Sequence, residues 1–121
     1  MYEILIDKLN PKISKNIGKH SLSSIGIVTG ATFPKELEHI RKKLPYAPFL
    51  IPGFGKQGGS IEDARLGLLP DKEYKNKFNS GIINSSRDLC FPISANNCND
   101  IKSWQKEIYK NLEENISKLH L

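Results

Sequence analysis

Apolar positions along this chain fall into two kinds of run. Short, nearly continuous β-branched runs alternate with longer stretches in which apolar residues return every three or four positions. The segment Ile25-Gly26-Ile27-Val28-Thr29-Gly30-Ala31-Thr32 is apolar almost without interruption, which predicts a parallel strand covered on both faces. Thr32 then offers an N-cap, Pro34 suits a first helical turn, and Leu37, Ile40 and Leu44 share one helical face as far as Pro45. The unit repeats. Ala47 to Ile51 predicts a second buried strand, Pro52 to Gly59 its turn, and Ser60-x-x-Asp63 a capping box that opens a helix reaching about Leu69. Residues 70–80 are polar and lysine-rich and read as a loop, and Gly81 to Asn84 predicts a third short strand ending at Ser85-Ser86-Arg87. At the start of the chain, Ile4, Leu5 and Leu9 predict a short amphipathic helix over Tyr2 to Leu9, halted by Asn10-Pro11. At the other end, a long helix from Asn99 or Asp100 carries Ile101, Trp104, Ile108, Leu112, Ile116 and Leu119 as one apolar stripe over a charged opposite face.

Strands beginning near residues 25, 48 and 81, each followed by a helix, predict an α/β fold of right-handed βα units around a parallel sheet. That order suits a doubly wound sheet or a piece of a (β/α)8 barrel. A whole barrel takes about 250 residues, so a chain of 121 residues holds only part of one. Three parallel strands alone leave two unpaired edges, which folded proteins normally cover. Either a further segment or another copy is expected to cover them.

Composition narrows the classes of partner. The net charge is +5 and the pI near 9.2, but Lys and Arg are spread along the chain among Glu and Asp. A solvated surface is therefore expected rather than the one-sided basic footprint of a nucleic-acid-binding protein. Cys90 and Cys98 have neither zinc half-site nor C-x-x-C spacing and read as reduced thiols. His20, His39 and His120 stand apart from any second ligand type, so no metal site is expected. Glu3 and Asp7 interrupt the N-terminal apolar residues, and no uninterrupted apolar run is long enough to span a bilayer, which together predict a cytoplasmic chain with no membrane partner.

The chemistry concentrates in two turns. In Phe49-Leu50-Ile51-Pro52-Gly53-Phe54-Gly55-Lys56-Gln57-Gly58-Gly59 the glycines permit positive φ and close approach of backbone to a ligand, and the Gln57 amide can donate to a phosphate oxygen. This is neither the G-x-x-x-x-G-K-[ST] phosphate loop nor a dinucleotide fingerprint, and a glycine-rich turn without a ligand is the competing reading. Arg87 shifts the balance, because a guanidinium just after a strand end can hold phosphate through two parallel charge-assisted bonds, each worth roughly 1.5–3 kcal/mol when shielded from water. The competing reading for Arg87 is a surface ion pair with Asp88. Two consecutive turns of this kind near the end of the chain favour the phosphate site that barrel enzymes build after their last strands. A phosphorylated small molecule is the expected ligand.

Taken in order, the segments Ile25 to Pro34, Phe49 to Gly59 and Ile83-Asn84-Ser85-Ser86-Arg87 resemble the last three strand-and-loop units of orotidine-5'-phosphate decarboxylase, particularly its bacterial-type branch. The resemblance extends from about Tyr2 to Phe91. It implies a partial TIM (β/α)8 barrel, roughly the last three βα units plus a preceding helix, forming one partial domain over residues 1–121. It also implies a dimeric lyase of pyrimidine biosynthesis that converts orotidine 5'-phosphate to uridine 5'-phosphate and carbon dioxide without a cofactor. By the same resemblance Gln57, Arg87 and Ser86 hold the substrate phosphate, Pro52 packs near the pyrimidine, and the loop containing Gly53, Gly55 and Gly58 closes over the substrate, so that binding energy remote from the reacting carbon assembles the site.

Two departures qualify it. The family's Asp-x-Lys-x-x-Asp segment, whose Lys stabilises and protonates the carbanion, does not occur in the sequence. The nearest match, Asp100-x-Lys102-x-x-Gln105, lacks the second Asp and reads as a solvated helix face, so no catalytic residue is expected in this chain. Asp88 stands where the family has a small residue, and a carboxylate there repels a phosphate dianion unless it turns to solvent. Met1 suits a natural start, and then a split or decayed gene, or the boundary of a piece of a longer protein. The expected function is thus the C-terminal part of the decarboxylase, inactive without a complementing N-terminal half. The alternatives are a non-catalytic phosphate- or nucleotide-binding remnant and, more weakly, a basic nucleic-acid-binding protein whose affinity falls steeply with salt.

Overall fold

A computed structural model of the chain describes residues 1–55, 58–75 and 77–119. In chain order the elements are α1 (Tyr2–Lys15), β1 (Ile27–Val28), α2 (Pro34–Lys43), β2 (Phe49–Pro52), α3 (Ile61–Arg65), β3 (Leu69–Pro70), β4 (Phe78–Asn79), β5 (Gly81–Asn84), α4 (Arg87–Cys90), a 3-10 turn (Ile93–Asn97) and α5 (Ile101–Leu119). Strands β1, β2 and β5 form a parallel sheet in that order, with Val28, Leu50 and Ile82 aligned across it. Hydrogen bonding between the first two strands runs beyond the short β1, through Thr29 N–H to the Leu50 carbonyl and Ala31 N–H to the Pro52 carbonyl. The chain is therefore α/β with parallel strands.

The core lies on one face of that sheet. Phe49 and Ile51, alternate residues of β2, are buried in one cluster with Leu37 and Leu44 from α2 and its C-cap, Ile61 and Ala64 of α3, and Ile13 of α1. The opposite face is open: Val28 is 69% and Ile82 70% exposed. The expectation that the first strand is covered on both faces is thus corrected, because the strand period of two turns Val28, Leu50 and Ile82 together toward the uncovered side.

Other boundaries differ for local reasons. Helix α1 runs through Pro11 to Lys15 rather than stopping at Asn10-Pro11. Pro11 forfeits one backbone bond and strains the preceding turn, but the turn beyond it places Ile13 fully inside the core. Phe33, not Thr32, precedes α2, without a side-chain cap, and Pro34 supplies the pre-set φ of the first position. Helix α3 has the expected capping box but ends at Arg65, because Gly67 must pass close over the core: a Cβ there would lie 2.6 Å from Ile51 Cδ1 and 2.8 Å from Leu37 Cδ1. Within the expected loop 70–80, β3 and β4 pair as an antiparallel ribbon.

Arg41 was not expected in the interior. It is 4% exposed and donates from Nε to the Gly67 carbonyl (2.8 Å), from one terminal nitrogen to the carbonyls of Leu44 (3.1 Å) and Ala47 (2.8 Å), and from the other to that of Ser80 (3.0 Å). Its guanidinium carbon lies 3.4 Å from the centroid of the Phe49 ring. Burial brings the guanidinium down to about 10, so it remains charged at neutral pH. One cation thus ties the end of α2, the entry to β2, the exit from α3 and the entry to β5. Ser80, held in the left-handed region at φ +66, has its carbonyl fixed by this contact and by Phe49 N–H.

The capping box is expected to make the fold acid-sensitive. The Ser60 hydroxyl and backbone N–H both donate to the Asp63 carboxylate and hold it below its ordinary 3.8. Backbone N–H groups of Tyr74 and Glu73 act on Asp71 in the same direction, as do the backbone and hydroxyl of Ser103 on Asp100. A carboxylate depressed on folding contributes stability that is present above its unfolded value and lost as the pH falls through its folded one. Circular-dichroism melts are expected to show a melting temperature that declines below the ordinary carboxylate range, and Asp63→Asn should remove part of that decline.

Candidate functional site

The carboxyl ends of β2 and β5 stand side by side, Pro52 opposite Asn84 in parallel register. The chain continues from each into a turn, and between the two turns lies a cavity of about 160 Å3 lined by Pro52, Gly53, Phe54 and residues 84–88. The loop after β2 holds its own shape: Gly55 N–H donates to the Gly59 carbonyl (2.8 Å), Gly58 N–H to that of Gly55 (2.8 Å) and Gly59 N–H to that of Gly53 (3.1 Å). Gly53, Gly55 and Gly58 all have positive φ, at +95, +86 and +98, the conformation glycine adopts without steric cost. Gly59 rests on the fully buried Ala31 of the turn after β1, so close that a Cβ at 59 would lie 2.9 Å from the Ala31 Cβ. Three strand ends therefore contribute to one edge.

Of the residues singled out in the sequence, Pro52, Gly53, Ser86 and Arg87 line this cavity. Gly55 and Gly58 shape the loop beside it, and Gln57 lies outside the described residues. Ser86 precedes α4 and makes no side-chain cap. Arg87 is exposed, and among the described residues the ion pairs are His39 with Glu3 and Lys42 with Glu38, so the expected competitor, an Arg87–Asp88 pair, is not formed.

Two contacts at the site escaped the sequence. Ser85 Oγ donates to the Phe54 carbonyl at 3.0 Å and couples the two turns directly. Asn111 of α5 donates from Nδ2 to the Asp88 carbonyl at 2.7 Å and anchors the second turn from outside. Ser85 belongs to the same Asn-Ser-Ser-Arg run and was within reach of sequence reasoning, whereas Asn111 lies in a helix with no local link to the turn. Lys102, in the weak Asp100-x-Lys102 match, is exposed, and Asp100 caps α5 by accepting from the N–H groups of Lys102 and Ser103. Cys90 and Cys98 are free thiols. Among the described residues no helix is long and apolar enough to cross a membrane.

Parallel βα units with an arginine-bearing cavity at the carboxyl edge of the sheet define a class, the α/β proteins that place a ligand site at their strand ends. Sequence comparison supplies the family: the chain belongs to the orotidine 5'-phosphate decarboxylases. It is 40% identical over 95 residues to that of Clostridium perfringens, covering 78% of this chain and 31% of the relative. It is 36% identical over 118 residues to that of Caldicellulosiruptor bescii, covering 97% and 36%, and 43% identical over 89 residues to that of Petrotoga mobilis, covering 74% and 28%. The chain spans about a third of the length of these curated relatives. No protein-family model matches it. Among solved structures, the UMP synthase of Leishmania donovani is similar at 25% identity and a TM-score of 0.48, over 88% of this chain and 22% of that one.

Proposed function

We propose that the chain is the C-terminal portion of an orotidine 5'-phosphate decarboxylase and that the cavity between the β2 and β5 turns receives the 5'-phosphate of orotidine 5'-phosphate or uridine 5'-phosphate. The observation that carries this reading is the parallel Pro52–Asn84 register, which sets Arg87 and the positive-φ glycine loop on one cavity. Arg87 supplies two parallel donors to the phosphate, with Ser86 beside it, and Gln57, which lies outside the described residues, is the further donor of this reading. Gly53, Gly55 and Gly58 let the backbone approach, and Pro52 borders the base. Binding there contributes to the reaction only as positioning, because the lysine that stabilises and protonates the carbanion belongs to an Asp-x-Lys-x-x-Asp segment absent from these 121 residues.

The open sheet face supports a partial barrel of roughly three βα units within a single partial domain. Val28, Leu50 and Ile82 form a row that the remainder of a barrel would cover, and β1 and β5 are edge strands among the described residues. The partners in this reading are a complementing N-terminal half, or a second copy, and the phosphorylated substrate, in a cytoplasmic setting. Uridine 5'-phosphate is expected to bind the chain in the micromolar-to-millimolar range and uridine at least about tenfold more weakly, a difference of roughly 1.4 kcal/mol. Equal binding of the two by NMR titration, or none, refutes the reading. Alone, the chain is expected to release no carbon dioxide from orotidine 5'-phosphate. Mixed with a polypeptide carrying the Asp-x-Lys-x-x-Asp part of a relative, it is expected to restore turnover.

A further inference from the structure

We infer that Asp88 sets how tightly the cavity holds a doubly charged phosphate: packed over Gly55 beside Arg87, its carboxylate offsets part of the arginine's attraction and lowers the affinity for phosphate below what the same cavity would have without it. This rests on the phosphate reading of the same cavity and adds the residue that tunes it. Asp88 is half-buried and lines the cavity together with Arg87. It has not turned away to solvent. A Cβ at Gly55 would lie 2.6 Å from both Cγ and Oδ2 of Asp88 and 2.7 Å from its Cβ, so the missing side chain at 55, with φ +86, is what makes room for the carboxylate. The Asp88 backbone is held in place from the other side by Asn111 Nδ2 at 2.7 Å. Among the described residues no cation pairs with it. The carboxylate therefore borders the same cavity of about 160 Å3 that would receive the phosphate. A phosphomonoester carries about −1.5 to −2 at neutral pH, and each of those charges is repelled at short range in a partly desolvated site.

The test compares the full chain with Asp88→Asn, which keeps the size and removes the charge, using inorganic phosphate and uridine 5'-phosphate as probes in NMR titrations. Asp88→Ser serves as a second variant should the first fail to give a cooperative melt. Glu113→Gln, on an exposed position of α5, makes the same change in net charge elsewhere. Asp88→Asn or Asp88→Ser is expected to bind both probes at least about tenfold more tightly, Glu113→Gln to bind like the unmodified chain, and Arg87→Ala in the Asp88→Asn background to lose the gain. Unchanged affinity in the Asp88 variants, with measurable binding by the unmodified chain, overturns the role of Asp88 and leaves the phosphate site standing. An equal gain from Glu113→Gln likewise overturns it, as a mere net-charge effect. No binding by any of these proteins overturns the phosphate site and this inference together.

Discussion

Replacing Arg41 by Ala is expected to destabilise the chain by about 3–5 kcal/mol, the cost typical of stranding buried polar partners. The four carbonyls it serves, at Gly67, Leu44, Ala47 and Ser80, would lose a charged donor at once. The Ser80 and Leu44 carbonyls keep the N–H groups of Phe49 and Ala47, so the cost falls mainly on those of Gly67 and Ala47, at roughly 1–3 kcal/mol for each buried acceptor left unpaired, which water entering the vacated space partly offsets. The Phe49 ring would also lose the guanidinium stacked on it. Against a typical total of about 5–15 kcal/mol, such a loss leaves little or no folded protein. Arg41→Lys is expected to recover only a minor part, since a compact ammonium with three donors does not reproduce a planar fork serving four acceptors. Lys42→Ala next to it removes only an exposed i,i+4 pair with Glu38 and should change stability by less than about 0.5 kcal/mol. Urea unfolding of the three variants checks this ordering, and an Arg41→Ala variant as stable as the unmodified chain would show that the four contacts contribute nothing net.

Arg87→Ala is expected to weaken phosphate binding on the order of a hundredfold. Two charge-assisted bonds at a site open on one side are worth roughly 2–3 kcal/mol together, below their fully shielded value. Because Arg87 is exposed and forms no ion pair among the described residues, stability should hardly change. That separation of effects is itself informative: loss of binding with an unchanged melting temperature assigns Arg87 to the ligand, whereas loss of both would make it a structural residue. Arg87→Lys, which keeps the charge and loses the fork, should fall between.

Much of the functional edge was legible because it is built from local signals. The third strand, Gly81 to Asn84, has the bounds its apolar run predicts, the Ser60–Asp63 capping box forms as its spacing requires, and Gly53, Gly55 and Gly58 of the β2 turn take the positive φ that their clustering suggested. What stayed hidden depends on distant partners. Arg41 sits in the run Arg41-Lys42-Lys43, which reads as solvated, and only the fold reveals four carbonyls converging on it. Pro11 reads as a helix stop until the burial of Ile13 gives the following turn a reason to continue. In α5, Trp104, Ile108 and Leu119 are half-buried, Leu119 against the core, but Ile101, Leu112 and Ile116 of the expected stripe are exposed, and Asn111 and Asn115 are half-buried instead. The bond from Asn111 to the Asp88 carbonyl turns that face toward the site, and no helical periodicity encodes it.

The central claim, that the β2 and β5 turns form one phosphate-receiving edge, is tested most directly by titrating the isotopically labelled chain with uridine 5'-phosphate and following its backbone amides. Saturable shifts confined to Gly53–Gly55, Gly58, Gly59 and residues 84–88 are expected. Shifts confined instead to the open sheet face around Val28, Leu50 and Ile82, or spread evenly over the lysines, would contradict it.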